Sequence, residues 1–416
     1  MMNRIAFGVY QLSVTTYVAL IYLFSLWHPK ARLMIAGRKN WRKELQNQLH
    51  SLNKELVWVH CASLGEFEMA RPIIEHLRRQ NQYSILITFF SPSGYIVRKN
   101  YSGADIVAYL PFDIGNTAMD FVAMTKPAKT FFVKYELWLG YLRALKKHNI
   151  NHYLIGALFK PNGIYFKQFG NVYRDALESF TYIFTQTEQD LELLRKHNIL
   201  NAMCAGDPRY DRVWQNAQIK KENNIVLQFI GARICLVLGS SYEYEEKIVA
   251  DALPLLPNNI CIVIAPHEVN ETRIAEIERR FKNHHTIRYS QWHKSTIEQT
   301  VLIIDNVGML ADIYQYATAS FVGGGFGSKG IHNILEPLAM GSYVFVGPKN
   351  HNRFPEVTHA VNAKVASIIK SPDMLITELQ QLISEINTST YNKEQTTRFI
   401  SEKTGASSKI IHKTAI

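Results

Sequence analysis

The chain has 416 residues, 47% of them hydrophobic and 19% charged, with a formal net charge of +11. That length exceeds one ordinary core and predicts two domains, and the composition excludes a disordered or collagen-like chain. The basic excess calls for an anionic partner; with no RNA-binding or zinc-finger pattern in the chain, the expected partner is an anionic membrane or a phosphorylated substrate, and no nucleic acid.

Residues Ile5 to Trp27 carry no charge. At ~1.5 Å per residue they can span a hydrocarbon core of ~30 Å, although Gln11, Ser13, Thr15 and Thr16 interrupt the apolar run. Tyr22 and Trp27 suit the headgroup region. Lys30, Arg32, Arg38, Lys39, Arg42 and Lys43 follow, whereas only Arg4 precedes. The positive-inside rule then predicts an uncleaved, single-pass anchor over residues 1–28 with the body of the protein in the cytoplasm. The competing readings are a helix lying in the interface, a buried helix, and a signal peptide, which would carry its charge before the apolar core. Cys61, Cys204, Cys235 and Cys261 form no C-x-x-C pair and read as reduced thiols.

From Leu56 onward, short apolar runs alternate with amphipathic stretches. Strands are expected at Leu56–His60, Ser84–Phe90, Asp105–Tyr109, Thr130–Val133, His152–Ile155, Tyr182–Thr185 and Ala202–Ala205. Helices are expected at Phe67–Gln80, Asp120–Met124, Leu139–Lys147 and Glu188–His197. The pattern weakens over the polar stretch 207–230 and restarts with strands at Ile234–Gly239, Ile260–Ala265, Val301–Ile304, Ser320–Gly323 and Tyr343–Val346. Helices are expected there at Tyr244–Leu255, Arg273–Phe281, Met309–Tyr316 and Asn333–Met340. Such alternation implies an α/β protein with two Rossmann-like domains, meeting near 207–230 and facing across a cleft. Ligands of such sheets bind outside the carboxyl ends of the strands.

The chemistry-bearing residues fall at those ends. His60-Cys61-Ala62-Ser63-Leu64-Gly65-Glu66 follows the first strand, so Glu66 either complements a helix dipole or projects as a general base. Lys134-Tyr135-Glu136-Leu137-Trp138 repeats the arrangement, with Glu136 as a capping or a site carboxylate. In Gly206-Asp207-Pro208-Arg209-Tyr210-Asp211, Arg209 could meet a phosphate or pair with Asp207 or Asp211. In the second half, Gly239-Ser240-Ser241 opens a helix and could cradle phosphate with backbone N–H groups and hydroxyls. Pro266-His267-Glu268 and Asn306-Val307-Gly308-Met309-Leu310 end the next strands. A glycine-rich loop, Gly323 to Gly330 with Gly325 and Lys329 inside it, leads to a helix expected to start near Asn333, which would place Glu336 one turn inside. No P-loop and no G-x-G-x-x-G opening the first βα unit occurs. No Asp-x-Asp occurs either, and His267, His332 and His351 fit no metal-ligand spacing, so no metal is expected.

The S-x-G-E turn, the E-L-W motif, G-x-x-R-Y-D and the G-G-G-F…G-x-H-N-x-L-E-P block, in that order after an N-terminal anchor, resemble the 3-deoxy-D-manno-octulosonic acid (Kdo) transferases of Gram-negative bacteria. Pro266-His267-Glu268 and Asp305-Asn306 look closest to the Bacteroidetes-type branch. The resemblance covers about residues 4 to 360. It implies a GT-B fold and inverting transfer of Kdo from CMP-Kdo to the lipid A precursor lipid IVA in lipopolysaccharide biosynthesis. It implies action at the inner face of the inner membrane, among its phospholipids, without a metal or other cofactor. It further implies an acceptor domain over 29–212, a donor domain over 213–390, and a tail, 391–416, packing back on the first domain. By the same resemblance Glu66 is the general base and Glu136 and Arg209 stabilise the transition state. CMP contacts fall on Pro266, His267, Gly308, Met309, Leu310, Asn333, Ile334, Leu335 and Glu336, to which the two phosphate-cradling turns add Ser240, Ser241 and Gly325 as expected donor-site residues. His267, Arg209 and Tyr242 depart from the Arg, Lys and His that many members carry there. The alternatives are a GT-B glycosyltransferase with another nucleotide sugar and a lipid acceptor, and a membrane-tethered nucleotide-binding scaffold without catalysis.

Overall fold

The computed structural model describes residues 4–167, 170–219, 221–292, 300–328, 330–387 and 393–416, so Lys329 lies outside the described residues. It divides into two compact units, one of Met1–Arg212 with Thr404–Ile416 and one of Val213–Lys403. Each unit is a twisted parallel sheet covered by helices, the architecture of the GT-B class.

In the first unit, seven described strands run β1 Leu56–Cys61, β2 Ser84–Phe89, β3 Ile106–Tyr109, β4 Lys129–Val133, β5 Asn151–Ala157, β6 Tyr182–Thr185 and β7 Ala202–Cys204. Their order across the sheet is β3-β2-β1-β4-β5-β6-β7, every pair parallel. All six residues of β1 and of β2 are buried. Strands covered on both faces read as continuous apolar runs, which is why the sequence shows runs there and no alternation. Trp58 on β1 is the centre of one core layer, its ring 4.9 Å from Phe121, 5.3 Å from Phe132 and 5.6 Å from Tyr141.

The N-terminal helix Arg4–Phe24 is long and apolar enough to cross a membrane by length and composition. It is not a segment apart from the first unit. Tyr10, Val14, Val18 and Ile21 are buried at spacings of four, four and three, a single stripe packed on the core. The Tyr10 hydroxyl donates to Asp113 Oδ2 at 2.6 Å, and the Gln11 amide donates to the Asp113 carbonyl at 3.1 Å. The opposite face, with Ile5, Val9, Leu12, Leu20, Leu23 and Phe24, is exposed. The basic cluster behind it is smaller than the sequence implies. Arg38 is buried, donating to the carbonyls of Leu110, Met34 and Phe90, and burial lowers its pKa to about 10. Arg42 pairs with Asp120 at 2.6 Å.

In the second unit the described strands are β8 Ile234–Ser241, β9 Ile260–Pro266, β10 Thr286–Arg288, β11 Val301–Ile303, β12 Ala319–Val322, β13 Tyr343–Val346 and β14 Ala366–Ile368. They lie in the order β10-β11-β9-β8-β12-β13-β14, again all parallel. The chain returns to the first unit at Thr404 and not at 391, because helix Lys393–Ser401 buries Thr396, Phe399 and Ile400 within the second unit. The returning helix Ala406–Thr414 is held by Asp211, which accepts from the N–H groups of Gly405 and Ser407. Lys129 donates to the Thr414 carbonyl at 2.8 Å.

Candidate active site

In the first sheet the strand order reverses between β1 and β4, the place where α/β sheets hold ligands. Glu66 and Glu136 follow these two neighbouring strands. Ser63 has extended backbone just before helix Leu64–Gln80, and Glu66 lies in that helix's first turn. The Ser63 hydroxyl donates to Glu66 Oε2 and makes no capping bond to backbone. Glu66 is half-buried. After β4, Lys134 adopts a left-handed φ of 61°, unusual for a residue with a Cβ.

Glu136 follows that turn, and it does not cap the next helix. The N–H groups that open helix Leu139–Lys147 are taken elsewhere, Leu139 N by the Tyr10 hydroxyl at 3.2 Å and Gly140 N by Asp113 Oδ2 at 2.8 Å. Glu136 Oε2 instead accepts from Trp138 Nε1 at 2.6 Å and meets His60 Nε2 at 3.2 Å. The capping reading of Glu136 therefore fails, and a site reading is left standing.

Arg209 is placed differently. It follows β7, three strand-to-strand steps from β4 in the sheet. Its Nε and terminal nitrogen grip Asp207 Oδ2 at 2.9 and 2.7 Å, the local pair the sequence left open. Nothing in the described structure brings Arg209 to the two glutamates.

The second sheet reverses between β8 and β12, where Gly239-Ser240-Ser241 and Gly323-Gly324-Gly325 come side by side through Gly323 N to Gly239 O at 2.9 Å. A bulge falls here, with Ser240 at φ 50°. Two details depart from a phosphate cradle. The Ser241 hydroxyl is buried and donates to Glu246 Oε1 at 2.8 Å, inside an ion pair with Arg273 and Arg280. The helix begins at Glu243 with three acidic residues in its first turn. Glu245 takes Tyr242 N at 3.2 Å and Gly324 N at 2.8 Å, so the chain's own carboxylate occupies this helix start. Burial raises the pKa of both Glu245 and Glu246.

The glycines answer to backbone packing. A Cβ on Gly323 would lie 2.1 Å from Ser240 O, and one on Gly325 would lie 2.4 Å from Gly347 N. Pro266 ends β9, and His267 N donates to Ser241 O at 3.1 Å. The His267 ring packs at a tilt against His332 at 4.6 Å and Tyr242 at 5.0 Å, the Tyr242 and His332 rings stack, and the Tyr242 hydroxyl meets His332 Nε2 at 3.0 Å.

Gly308 turns at φ 96° in open space ahead of a four-residue helix, Leu310–Ile313, with Met309 at its N-cap. The helix after the glycine-rich loop begins at Leu335, not Asn333, because the Asn333 side chain accepts from Leu335 N at 3.1 Å and ends the loop there. Ile334 is its N-cap residue and Glu336 sits in its first turn. Besides burial, the charge of Glu336 raises the pKa of Tyr314, whose hydroxyl lies against Gly239. Glu336 is thus near the end of β8. A cavity of about 340 Å³ opens beside the stack, bordered by Tyr242, Tyr244, Glu268, Arg273 and Phe326. A larger hollow, about 990 Å³, lies by β14 and helix Pro372–Asn387 and holds none of the expected residues.

His60, Tyr242 and His332, which lie among these groups, were not among the residues expected to form the site. A histidine inside the fully buried strand Leu-Val-Trp-Val-His-Cys was the available signal for the first.

The family model for the 3-deoxy-D-manno-octulosonic-acid transferases (kdotransferases) matches residues 38–212. The chain is 26% identical over 339 residues to the 3-deoxy-D-manno-octulosonic acid transferase of Aquifex aeolicus, covering 80% of this chain and 87% of that one. It is 22% identical over 346 residues to a bifunctional glycosyltransferase/methyltransferase of Fusobacterium nucleatum, spanning 54% of that longer protein. Among solved structures it is similar to UDP-GlcNAc 2-epimerase from Neisseria meningitidis bound to UDP-GlcNAc, with a TM-score of 0.56 at 15% identity, covering 87% of this chain and 99% of that one. At that identity the likeness is one of fold. The segment matched by the family model contains both switch-point glutamates, and over it and the Aquifex alignment this chain is similar to the 3-deoxy-D-manno-octulosonic acid transferases.

Proposed function

We propose that the protein is an inverting glycosyltransferase that moves Kdo from CMP-Kdo to the lipid A precursor lipid IVA. The observation that carries this is the pair of carboxylates at the reversal point of the first sheet, one oriented by Ser63 and one by His60 and Trp138. Inversion in one displacement needs a single base on the acceptor hydroxyl. Glu66 takes that proton as the hydroxyl oxygen attacks the anomeric carbon and CMP departs with the bonding pair. Glu136 stabilises positive charge developing at the sugar. Arg209 is assigned a stabilising role through guanidinium N–H groups that Asp207 does not take. CMP is assigned to the second unit, around Ser240, Pro266, His267, Gly308 to Leu310, Gly325 and Asn333 to Glu336, with no divalent ion in the step. Activity that persists in EDTA supports the metal-free step; loss restored by Mg²⁺ overturns it.

The acceptor is a phosphorylated lipid, so the enzyme works at a membrane, assigned here to the cytoplasmic face of the inner membrane. The exposed face of the N-terminal helix, continued by Leu26, Trp27 and Leu33 and flanked by Lys30 and Lys39, suits a helix lying in the interface. Spanning would require the stripe from Tyr10 to Ile21 to leave the core. Product mass after incubation with CMP-Kdo and a tetraacyl lipid A precursor tests the activity.

A further inference from the structure

We infer that His60 is a positioning residue for the Glu136 carboxylate, held in one tautomer by a hydrogen-bond relay that starts at Trp58 and passes through Thr88. The inference rests on the proposed role of Glu136. Trp58 and His60 are two residues apart on β1 and share one face of the sheet, and Thr88 on β2 is the register partner of His60. All three are fully buried. Trp58 Nε1 lies 2.8 Å from Thr88 Oγ1, Thr88 Oγ1 lies 2.9 Å from His60 Nδ1, and His60 Nε2 lies 3.2 Å from Glu136 Oε2.

The chemistry of the two ends fixes the direction. An indole N–H only donates, and a carboxylate only accepts. Nε2 of His60 therefore carries a proton toward Glu136. A singly protonated imidazole then has Nδ1 as acceptor, and the Thr88 hydroxyl supplies that proton. The hydroxyl oxygen in turn accepts from Trp58. Each group is used once along the line Trp58 to Thr88 to His60 to Glu136. Trp138 adds a second donor to the same carboxylate oxygen at 2.6 Å. Among the described residues Oε1 takes no hydrogen bond, so it is the oxygen a substrate can reach. A line of oriented donors that ends on one carboxylate oxygen holds the other at a set position. Such placement is worth a large factor, since a shift of about 1 Å costs roughly 10²-fold in rate.

The test uses the full-length protein. In the transfer assay His60→Leu is expected to lower kcat ~10- to 100-fold while KM for CMP-Kdo stays within about twofold. His60→Gln, whose amide N–H can still reach Glu136, is expected to recover most of that loss. Thr88→Val, which keeps the shape of the side chain, is expected to lower kcat several-fold and serves if His60→Leu does not fold. Introduced into Glu136→Ala, neither Thr88→Val nor His60→Leu should change kcat further. An equal loss in both backgrounds would make the histidine merely structural and overturn the inference. A ¹⁵N–¹H imidazole spectrum, with the His60 signals assigned by their loss in His60→Gln, should show the Nε2–H tautomer; an Nδ1–H tautomer overturns the relay. Near wild-type turnover by Glu136→Ala would instead overturn the role of Glu136, leaving the tautomer to decide the relay on its own.

Discussion

Asp113 carries two hydrogen bonds on Oδ2, while its buried Oδ1 has no partner among the described residues. Burial raises its pKa above the ordinary aspartate value. The folded protein thus keeps that proton to a higher pH than the unfolded chain does. The stability this brings is complete below about pH 3.9 and is lost as pH rises through the folded pKa. Asp113→Asn removes this loss, so the melting temperature of the variant minus that of the wild type should increase from pH 4 to pH 7. A difference that shrinks with pH would contradict the assignment. At the donor end, Glu336→Ala should weaken CMP binding tenfold or more in a titration, since hydrogen bonds from ribose hydroxyls to a carboxylate are worth roughly 1.5–3 kcal/mol each. Unchanged affinity with a lowered melting temperature would make Glu336 a structural residue of the helix that begins at Leu335.

At the scale of elements, the N-terminal helix serves the fold on one face and faces outward on the other. Burying a large apolar side chain is worth about 1.5–3 kcal/mol, and this helix buries Tyr10, Val14, Val18 and Ile21. Deleting residues 1–27 should therefore lower the unfolding temperature sharply or prevent folding. Leu23→Asp with Phe24→Asp, both on the exposed face, should leave the melting temperature nearly unchanged and abolish binding to anionic vesicles. A truncated protein that melts like the full chain would show that the helix is a dispensable anchor.

Its apolar length was plain in the sequence, but its packing was not, because Gln11 read as an interruption of an anchor until Asp113 is seen beneath it and Tyr10. The central strands were legible from their apolar runs. β10 and β14, three residues each at the sheet edges, carry no apolar run, since Thr286 and Arg288 flank Ile287 in one and Ser367 divides the other. The glutamates of the first unit were legible because each follows a strand. The donor side was less so. The sequence shows that Gly323 and Gly325 are glycines, but not that neighbouring backbone fills the space of their Cβ atoms. Nor does it show that Ser241 turns inward to Glu246 or that Glu245 occupies the helix start.

For the molecule as a whole, the net charge of +11 suits a phosphorylated acceptor in an anionic bilayer. Similarity to the 3-deoxy-D-manno-octulosonic acid transferases points the chemistry toward transfer of Kdo, and the switch-point glutamates are the groups proposed to perform it. The most direct measurement is the mass of the lipid product after the full-length enzyme is incubated with CMP-Kdo and a tetraacyl lipid A precursor, run in parallel with Glu66→Gln. The wild type should add Kdo to the lipid and release CMP, and Glu66→Gln should be slower by ~10²–10⁴-fold while binding CMP nearly as well. A lipid of unchanged mass from the wild type, or near-full turnover by Glu66→Gln, would contradict the assignment.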